Sequence, residues 1–318
     1  MSSRTQRHRP RPISFSRASR RALAHKIRHY TRETVEADYR KLVEIGCLAK
    51  QKTAYNTTGN RVVDQYTFEE RINTVGRDGV SFYDIWLHQP EYRKKPYVRK
   101  FLSNSESENP NMAKEKRWYN LARFYFGAVQ IFKPLIAMEY YCRFQPKCVL
   151  DPTMGWGGRL VGAFALGVPK YIGIDQNRRL KQPYTELVKF LESQTQTKTQ
   201  NQTSVELLFT DALVVDYTKY DYDMVFTSPP YYSIEKYAGQ PERTKEEWDR
   251  EFYTPLFQKT WASLKRGGHY VINIPIEVYE RVAKPVLGAT QQKYPLKKKE
   301  RRPKEGDEYV EYVYVWTK

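Results

Sequence analysis

The run Thr227-Ser228-Pro229-Pro230-Tyr231-Tyr232 holds residue types suited to gripping a planar amino group. Two consecutive prolines stiffen the backbone and carry no N–H. Their carbonyls accept hydrogen bonds without a competing local donor, and Ser228 adds a side-chain acceptor. Acceptors that hold both hydrogens of an amino group turn its lone pair toward an electrophile and out of conjugation with the ring. Tyr231, with Tyr232 behind it, supplies an aromatic face for an unstacked base. Ser228, Pro229, Pro230 and Tyr231 are the candidate catalytic residues, and Tyr232 a candidate nucleic-acid contact.

A second run, Asp151-Pro152-Thr153-Met154-Gly155-Trp156-Gly157-Gly158-Arg159, is rich in glycine. Gly155 and Gly157 let the backbone turn tightly and approach a ligand without a Cβ in the way. Asp175 falls where the next strand should end, and a carboxylate there can accept both hydroxyls of a ribose. The run departs from the dinucleotide pattern G-x-G-x-x-G. Asp151 would also repel a pyrophosphate, whereas it can accept from the ammonium of a sulfonium amino acid. Asp211, after a third strand, is either an acceptor for an adenine amino group or a carboxylate that starts a loop.

These loops need a scaffold that brings them together. Cys148–Leu150, Tyr171–Ile174, Val205–Phe209, Asp223–Phe226 and His269–Ile274 are short, mostly apolar runs separated by helical stretches, and Tyr309–Trp316 alternates. The fold class expected is α/β, a Rossmann-like, mostly parallel sheet with helices on both faces. Residues 33–50 carry helical spacing (Val35, Tyr39, Leu42) ended at Gly46. Extended runs then flank the polar turn 56–60, with Val62, Val63, Tyr66 and Phe68 in the second. Helix plus hairpin is the pattern of a winged helix, or of an ordinary helix and hairpin packed on the main domain. Residues 103–112 read as a loop, and residues 113–144 as helix interrupted at Pro134. The division expected is a flexible basic arm at 1–22, a mainly helical nucleic-acid-binding region at 23–110, and the catalytic domain at 111–318.

Asp151, Pro152, Gly155 and Gly157, followed by Ser228 through Tyr231, make the chain resemble S-adenosylmethionine-dependent methyltransferases that act on amino groups of DNA bases. The family's Asp-Pro-x-x-Gly-x-Gly loop and its Asp/Asn/Ser-Pro-Pro-aromatic tract are both matched, over roughly residues 130–318. Phe132-Lys133-Pro134-Leu135-Ile136 looks like the family segment that closes over the cofactor. The resemblance implies a class I methyltransferase sheet and S-adenosylmethionine as cofactor. It places Lys133, Asp151, Pro152, Thr153, Gly155, Gly157, Asp175 and Asp211 around that cofactor. It implies direct in-line transfer to an exocyclic nitrogen, with base flipping on a duplex. The serine tilts the target toward cytosine N4 without excluding adenine N6. No cysteine follows a proline, which disfavours carbon-5 chemistry. Amino-group methyltransferases of RNA bases and of protein glutamine carry similar tracts, and an inert methyltransferase fold used only for nucleic-acid binding is a third reading. Many bacterial relatives place the two motifs in the opposite order. Too few residues separate them here for a recognition domain, so target recognition falls to the N-terminal region, to 233–245 or to the basic segment 291–304.

The formal net charge of +18 favours a polyanionic partner. The excess is clustered: ten Lys or Arg and no acid lie in residues 1–32, and seven against Glu300 in 291–304. A third cluster, Tyr92 to Lys100, interleaves cations with aromatics. Candidate phosphate contacts are Arg93, Lys94, Lys297, Lys298, Arg301 and Arg302. No run approaches the ~20 apolar residues that span a bilayer, and no apolar segment follows the basic N-terminus, so membrane and secretory roles are not expected. Three cysteines without metal-type spacing predict neither a zinc site nor a disulfide, and a reducing compartment, cytoplasm or nucleus.

Overall fold

A computed structural model describes residues 17–51, 56–76, 79–126, 129–195, 203–232, 243–296 and 311–318. Eight helices come first: α1 (Arg17–Ile27), α2 (Arg32–Ile45), α3 (Asn60–Arg71), α4 (Phe82–Leu87), α5 (Gln89–Arg93), α6 (Pro96–Glu108), α7 (Lys114–Tyr125) and α8 (Pro134–Phe144). Strands and helices then alternate through β1 (Cys148–Asp151), α9 (Gly158–Leu166), β2 (Lys170–Ile174), α10 (Lys181–Thr195), β3 (Ser204–Leu208) and β4 (Met224–Thr227). The chain continues with α11 (Lys245–Trp248), α12 (Thr254–Ala262), β5 (His269–Pro275), α13 (Ile276–Val278), α14 (Lys284–Leu287), β6 (Gln292–Pro295) and β7 (Glu311–Thr317). One π turn, Asp249–Tyr253, joins α11 to α12, and another, Tyr279–Ala283, joins α13 to α14.

The seven strands form one sheet in the order β3-β2-β1-β4-β5-β7-β6. Strands β1 to β5 pair in parallel, and β7 runs antiparallel between β5 and β6. This is the Rossmann-like α/β fold expected. Strand order reverses between β1 and β4, which opens a crevice beyond their carboxyl ends. The loop after β1 and the tract after β4 therefore become neighbours. Alternate residues feed opposite faces, as the pleat requires. Val149, Tyr171, Phe226 and Val271 join a core with α8, α9 and α10. Leu150, Ile172, Val225 and Ile272 join another with α12.

Several expectations fail in the N-terminal part. Residues 60–71 are helix, not the second strand of a hairpin, so no winged helix forms here. Val62, Val63, Thr67 and Arg71 are all buried, and that spacing fits 3.6 residues per turn, not alternation. The β-branched pair and the preceding turn residues masked the period. Helix α6 runs to Glu108, into the stretch read as loop, and α1 begins at Arg17, inside the stretch read as an arm. The boundary expected at 110 falls within one core: Trp118 and Leu121 of α7 pack with Leu23 of α1, Phe82 of α4 and Leu102 of α6. Helices α2 and α3 instead join the sheet's own core through Val35, Tyr39, Leu42, Val62 and Val63. Pro134 does interrupt the helical stretch, and it opens α8. Strand β6 lies in the segment read as a basic loop.

Cys47, in the 3-10 turn after α2, forms a disulfide with Cys142 of α8. This overturns the expectation of three free thiols and removes the argument for a reducing compartment. The two cysteines lie 95 residues apart, a separation no spacing rule reads. Among the described residues, no helix is long and apolar enough to cross a membrane, and no group of His, Cys, Asp or Glu could hold a metal ion.

Candidate active site

Strand β1 ends on a carboxylate that the protein uses internally. Asp151 is wholly buried, and its oxygens accept two bonds from Arg159, at 2.6 and 3.0 Å. Tyr171 and Thr227 donate to the same carboxylate at 2.6 and 2.9 Å. Asp151 therefore has no access to a ligand's ammonium, a correction to its expected direct contact. It fixes the loop instead, because Arg159 also donates to the Thr153 carbonyl at 2.6 Å. The Asp151 charge holds the Arg159 guanidinium protonated against the cost of burial. Such an arrangement suits positioning, since a bidentate ion pair has one geometry.

The glycines divide their work. Gly155 has a left-handed φ of 57°, and a Cβ there would meet nothing closer than the Thr153 carbonyl oxygen at 3.9 Å. It faces open space and leaves room for a ligand. A Cβ on Gly158 would collide with the Phe132 carbonyl oxygen, so Gly158 serves close packing. That packing lays Phe132-Lys133-Pro134 against the start of α9. Lys133 is half-buried, and burial lowers its ammonium pKa. Helix α3 reaches the same loop: the Thr67 hydroxyl donates to the Trp156 carbonyl at 3.1 Å.

Asp175 stands at the end of β2, as expected. Its oxygens accept from the backbone N–H of Gly155 at 3.0 Å and of Asn177 at 2.8 Å. Burial pushes its carboxyl up to about 6. Each oxygen retains a lone pair, and the residue is partly exposed. Asp211 is exposed and caps the turn after β3 by accepting from the Leu213 N–H at 2.9 Å.

The tract after β4 meets the glycine loop directly, with the Thr153 and Thr227 hydroxyls 2.5 Å apart. Ser228 and Tyr231 share a hydrogen bond of 2.9 Å between their hydroxyls. The Tyr231 hydroxyl also lies 2.8 Å from Asn273 Oδ1 and 2.7 Å from Glu311 Oε1. The Asn273 amide is oriented by its own donation to the Tyr312 carbonyl at 3.0 Å, so Oδ1 faces the cluster. Two hydroxyl protons thus face a carboxylate, an amide oxygen and each other's oxygens.

The second half of the tract is gripped by the Asp249–Tyr253 π turn. The Tyr253 hydroxyl donates to the Pro230 carbonyl and lies 3.1 Å from the Tyr232 N–H, which donates to it. Tyr232 adopts a left-handed φ of 50°, and its hydroxyl donates to Asp249 at 3.0 Å. Its ring is buried edge-to-face on Tyr253 with centroids 5.5 Å apart, which leaves little of it open to the nucleic acid it was expected to touch. The Pro229 carbonyl has no hydrogen-bond partner among the described residues.

The structure brings together Ser228 to Tyr231, Thr153, Gly155, Gly157, Asp175 and Lys133. Arg93 and Lys94 are exposed on α5 and the turn after it, in the N-terminal part. Lys297, Lys298, Arg301 and Arg302 lie outside the described residues. Sequence reasoning missed Arg159, Tyr253, Asn273 and Glu311. Two of these carry a signal: Arg159 in the otherwise apolar helix Gly158–Leu166, and Asn273 in the apolar strand β5.

No protein-family model and no curated protein matches the chain. Solved structures with partial likeness include TrmN from Thermus thermophilus, at 17% identity and TM-score 0.36 over 58% of this chain and 48% of that one. An rRNA methylase from Streptococcus thermophilus gives 16% and 0.36 over 60% and 99%. NSun6 from Pyrococcus horikoshii with SFG gives 15% and 0.39 over 62% and 54%. The chain spans about half the length of the first. Likeness at this level carries nothing about substrate or activity, and the fold stands on the sheet order itself.

Proposed function

We propose that this chain transfers a methyl group from S-adenosylmethionine to an exocyclic amino nitrogen of a DNA base, with cytosine N4 favoured over adenine N6. The observation that carries the reading is the contact of Thr153 with Thr227. It joins a ligand-accessible glycine loop to a Ser-Pro-Pro-Tyr tract at the sheet's switch point. The residues fit the cofactor: Gly155 leaves backbone space, and Asp175 holds lone pairs for ribose hydroxyls. Asp211 is exposed after β3, where a carboxylate could accept from an adenine amino group, and Lys133 flanks the loop. When bound, S-adenosylmethionine supplies a methyl group on a sulfonium leaving group.

Ser228 Oγ and the Pro229 carbonyl hold the two hydrogens of the target amino group. Once methylated, the amino nitrogen has one N–H proton to lose. Ser228 takes that proton and passes its own to Tyr231, whose proton goes to Glu311. Alignment and exclusion of water supply most of the rate. The choice of nucleic acid over protein rests on the basic clusters. Calorimetric titration with S-adenosylmethionine, paired with Pro229→Ala, tests the reading. The wild type should bind, and the variant should bind equally while its transfer collapses. Absence of binding by the wild type, or unchanged turnover in the variant, refutes it.

A further inference from the structure

Helices α6 and α7 present aromatic rings to solvent. Phe124 is 73% exposed and Tyr97 37%. Neither stands alone. Tyr97 and Tyr125 have ring centroids 4.7 Å apart, Phe124 and Tyr125 4.9 Å, and Phe101 and Phe124 6.0 Å. The four rings form one strip across two helices. Phe101 and Tyr125 pack against the helical core, so the strip is anchored. Folding does not require a phenylalanine at 124, since α7 buries Trp118, Tyr119, Leu121 and Ala122 on its other side.

The strip is rimmed with cations. Lys95 Nζ lies 5.9 Å from the Tyr97 ring centre, and Arg99 and Arg123 are exposed beside the rings in sequence. Across residues 91–101 and 121–125 the one acid is Glu91. Cations alone would suit any polyanion, including a duplex, which hides its base faces and offers phosphates. Exposed ring faces interleaved with cations match a strand whose base faces are open, because stacking and phosphate contacts then act together.

We infer that the α6–α7 face docks an unpaired polynucleotide strand, with bases stacking on Phe124 and Tyr97 and phosphates meeting Lys95, Arg99 and Arg123. This rests on the nucleic-acid substrate proposed above and adds the strandedness of what binds beyond the reacting centre. Fluorescence anisotropy of the full chain tests it, using a labelled single-stranded deoxyoligonucleotide, its ribo counterpart and the deoxy duplex of the same sequence at fixed salt. One or both single strands should bind more tightly than the duplex. Phe124→Ala should weaken single-strand binding about tenfold, and Phe124→Tyr should retain it. Arg123→Gln should lower the slope of log affinity against log salt by about 0.7. Wild-type affinity in both Phe124→Ala and Tyr97→Ala, or a duplex bound as tightly as the better-bound single strand, overturns the assignment. A wild type that binds no polynucleotide takes the nucleic-acid substrate down with it. One that binds and transfers methyl while neither Phe124→Ala nor Tyr97→Ala changes binding leaves that substrate standing and sinks only the docking face.

Discussion

The loop after β1 and the tract after β4 touch, yet they are held in different ways. The glycine loop is secured mostly from nearby in the chain, with Thr67 and Thr227 reaching it from farther off. Asp151 pairs with Arg159 at the start of the next helix, and Asp175 closes on Gly155 from the end of β2. The tract is secured from far away, by Tyr253 in a π turn, Asn273 on β5 and Glu311 on β7. The first arrangement is a buried charge pair that fixes shape. The second is a partly buried polar cluster that ties the tract to β5 and β7.

Breaking the rigid side should cost the most. Arg159→Met leaves the Asp151 charge buried without its partner, and should lower unfolding free energy by about 3–5 kcal/mol in urea titrations. A loss under about 1 kcal/mol, the range of exposed pairs, would remove the contrast between the two loops. Tyr231→Phe should leave S-adenosylmethionine affinity unchanged, because the hydroxyl bonds to Ser228, Asn273 and Glu311 on the tract's side of the crevice. Single-turnover transfer should fall by about a hundredfold as the proton route is cut. Glu311→Gln should reproduce most of that loss; full turnover in Glu311→Gln would place the proton's exit elsewhere. The smallest effect belongs to Asp175. As pH falls through about 6 its carboxyl takes up a proton. The ribose hydroxyls then lose a charged acceptor, and cofactor binding should weaken by roughly fivefold. Asp175→Asn should abolish this pH step. Folding responds with the opposite sign. Burial favours the neutral acid, so Asp175's contribution to stability is present below the ordinary carboxylate range and lost as pH rises through about 6.

The same contrast explains what the sequence disclosed. Strands β1 to β5 and both loops were legible, since apolar runs ending in Asp151, Asp175 and Thr227 mark strand ends locally. The supports of the glycine loop were half legible: Asp151 was found, but its role was misassigned because its partner Arg159 sits in what reads as an ordinary helix start. The supports of the tract were not legible, because Tyr253, Asn273 and Glu311 reach it only through strand order and a π turn. Tyr232 was misassigned for the same reason: nothing local says that its ring turns inward onto Tyr253. In the N-terminal part, Val62 and Val63 suggested a strand, whereas burial of Thr67 and Arg71 on the same face makes a helix. The Cys47–Cys142 disulfide depends on α8 packing beside the turn after α2, a tertiary contact.

The central claim is that the crevice methylates an exocyclic nitrogen of a nucleic-acid base. Incubation with S-adenosylmethionine carrying a tritiated methyl group, with DNA, RNA and protein as separate acceptors, followed by digestion and separation of the products, tests it directly. The account predicts label in DNA, recovered as N4-methyldeoxycytidine or N6-methyldeoxyadenosine. Label on carbon 5, on glutamine, or on no acceptor in an assay that works for a control methyltransferase would contradict it.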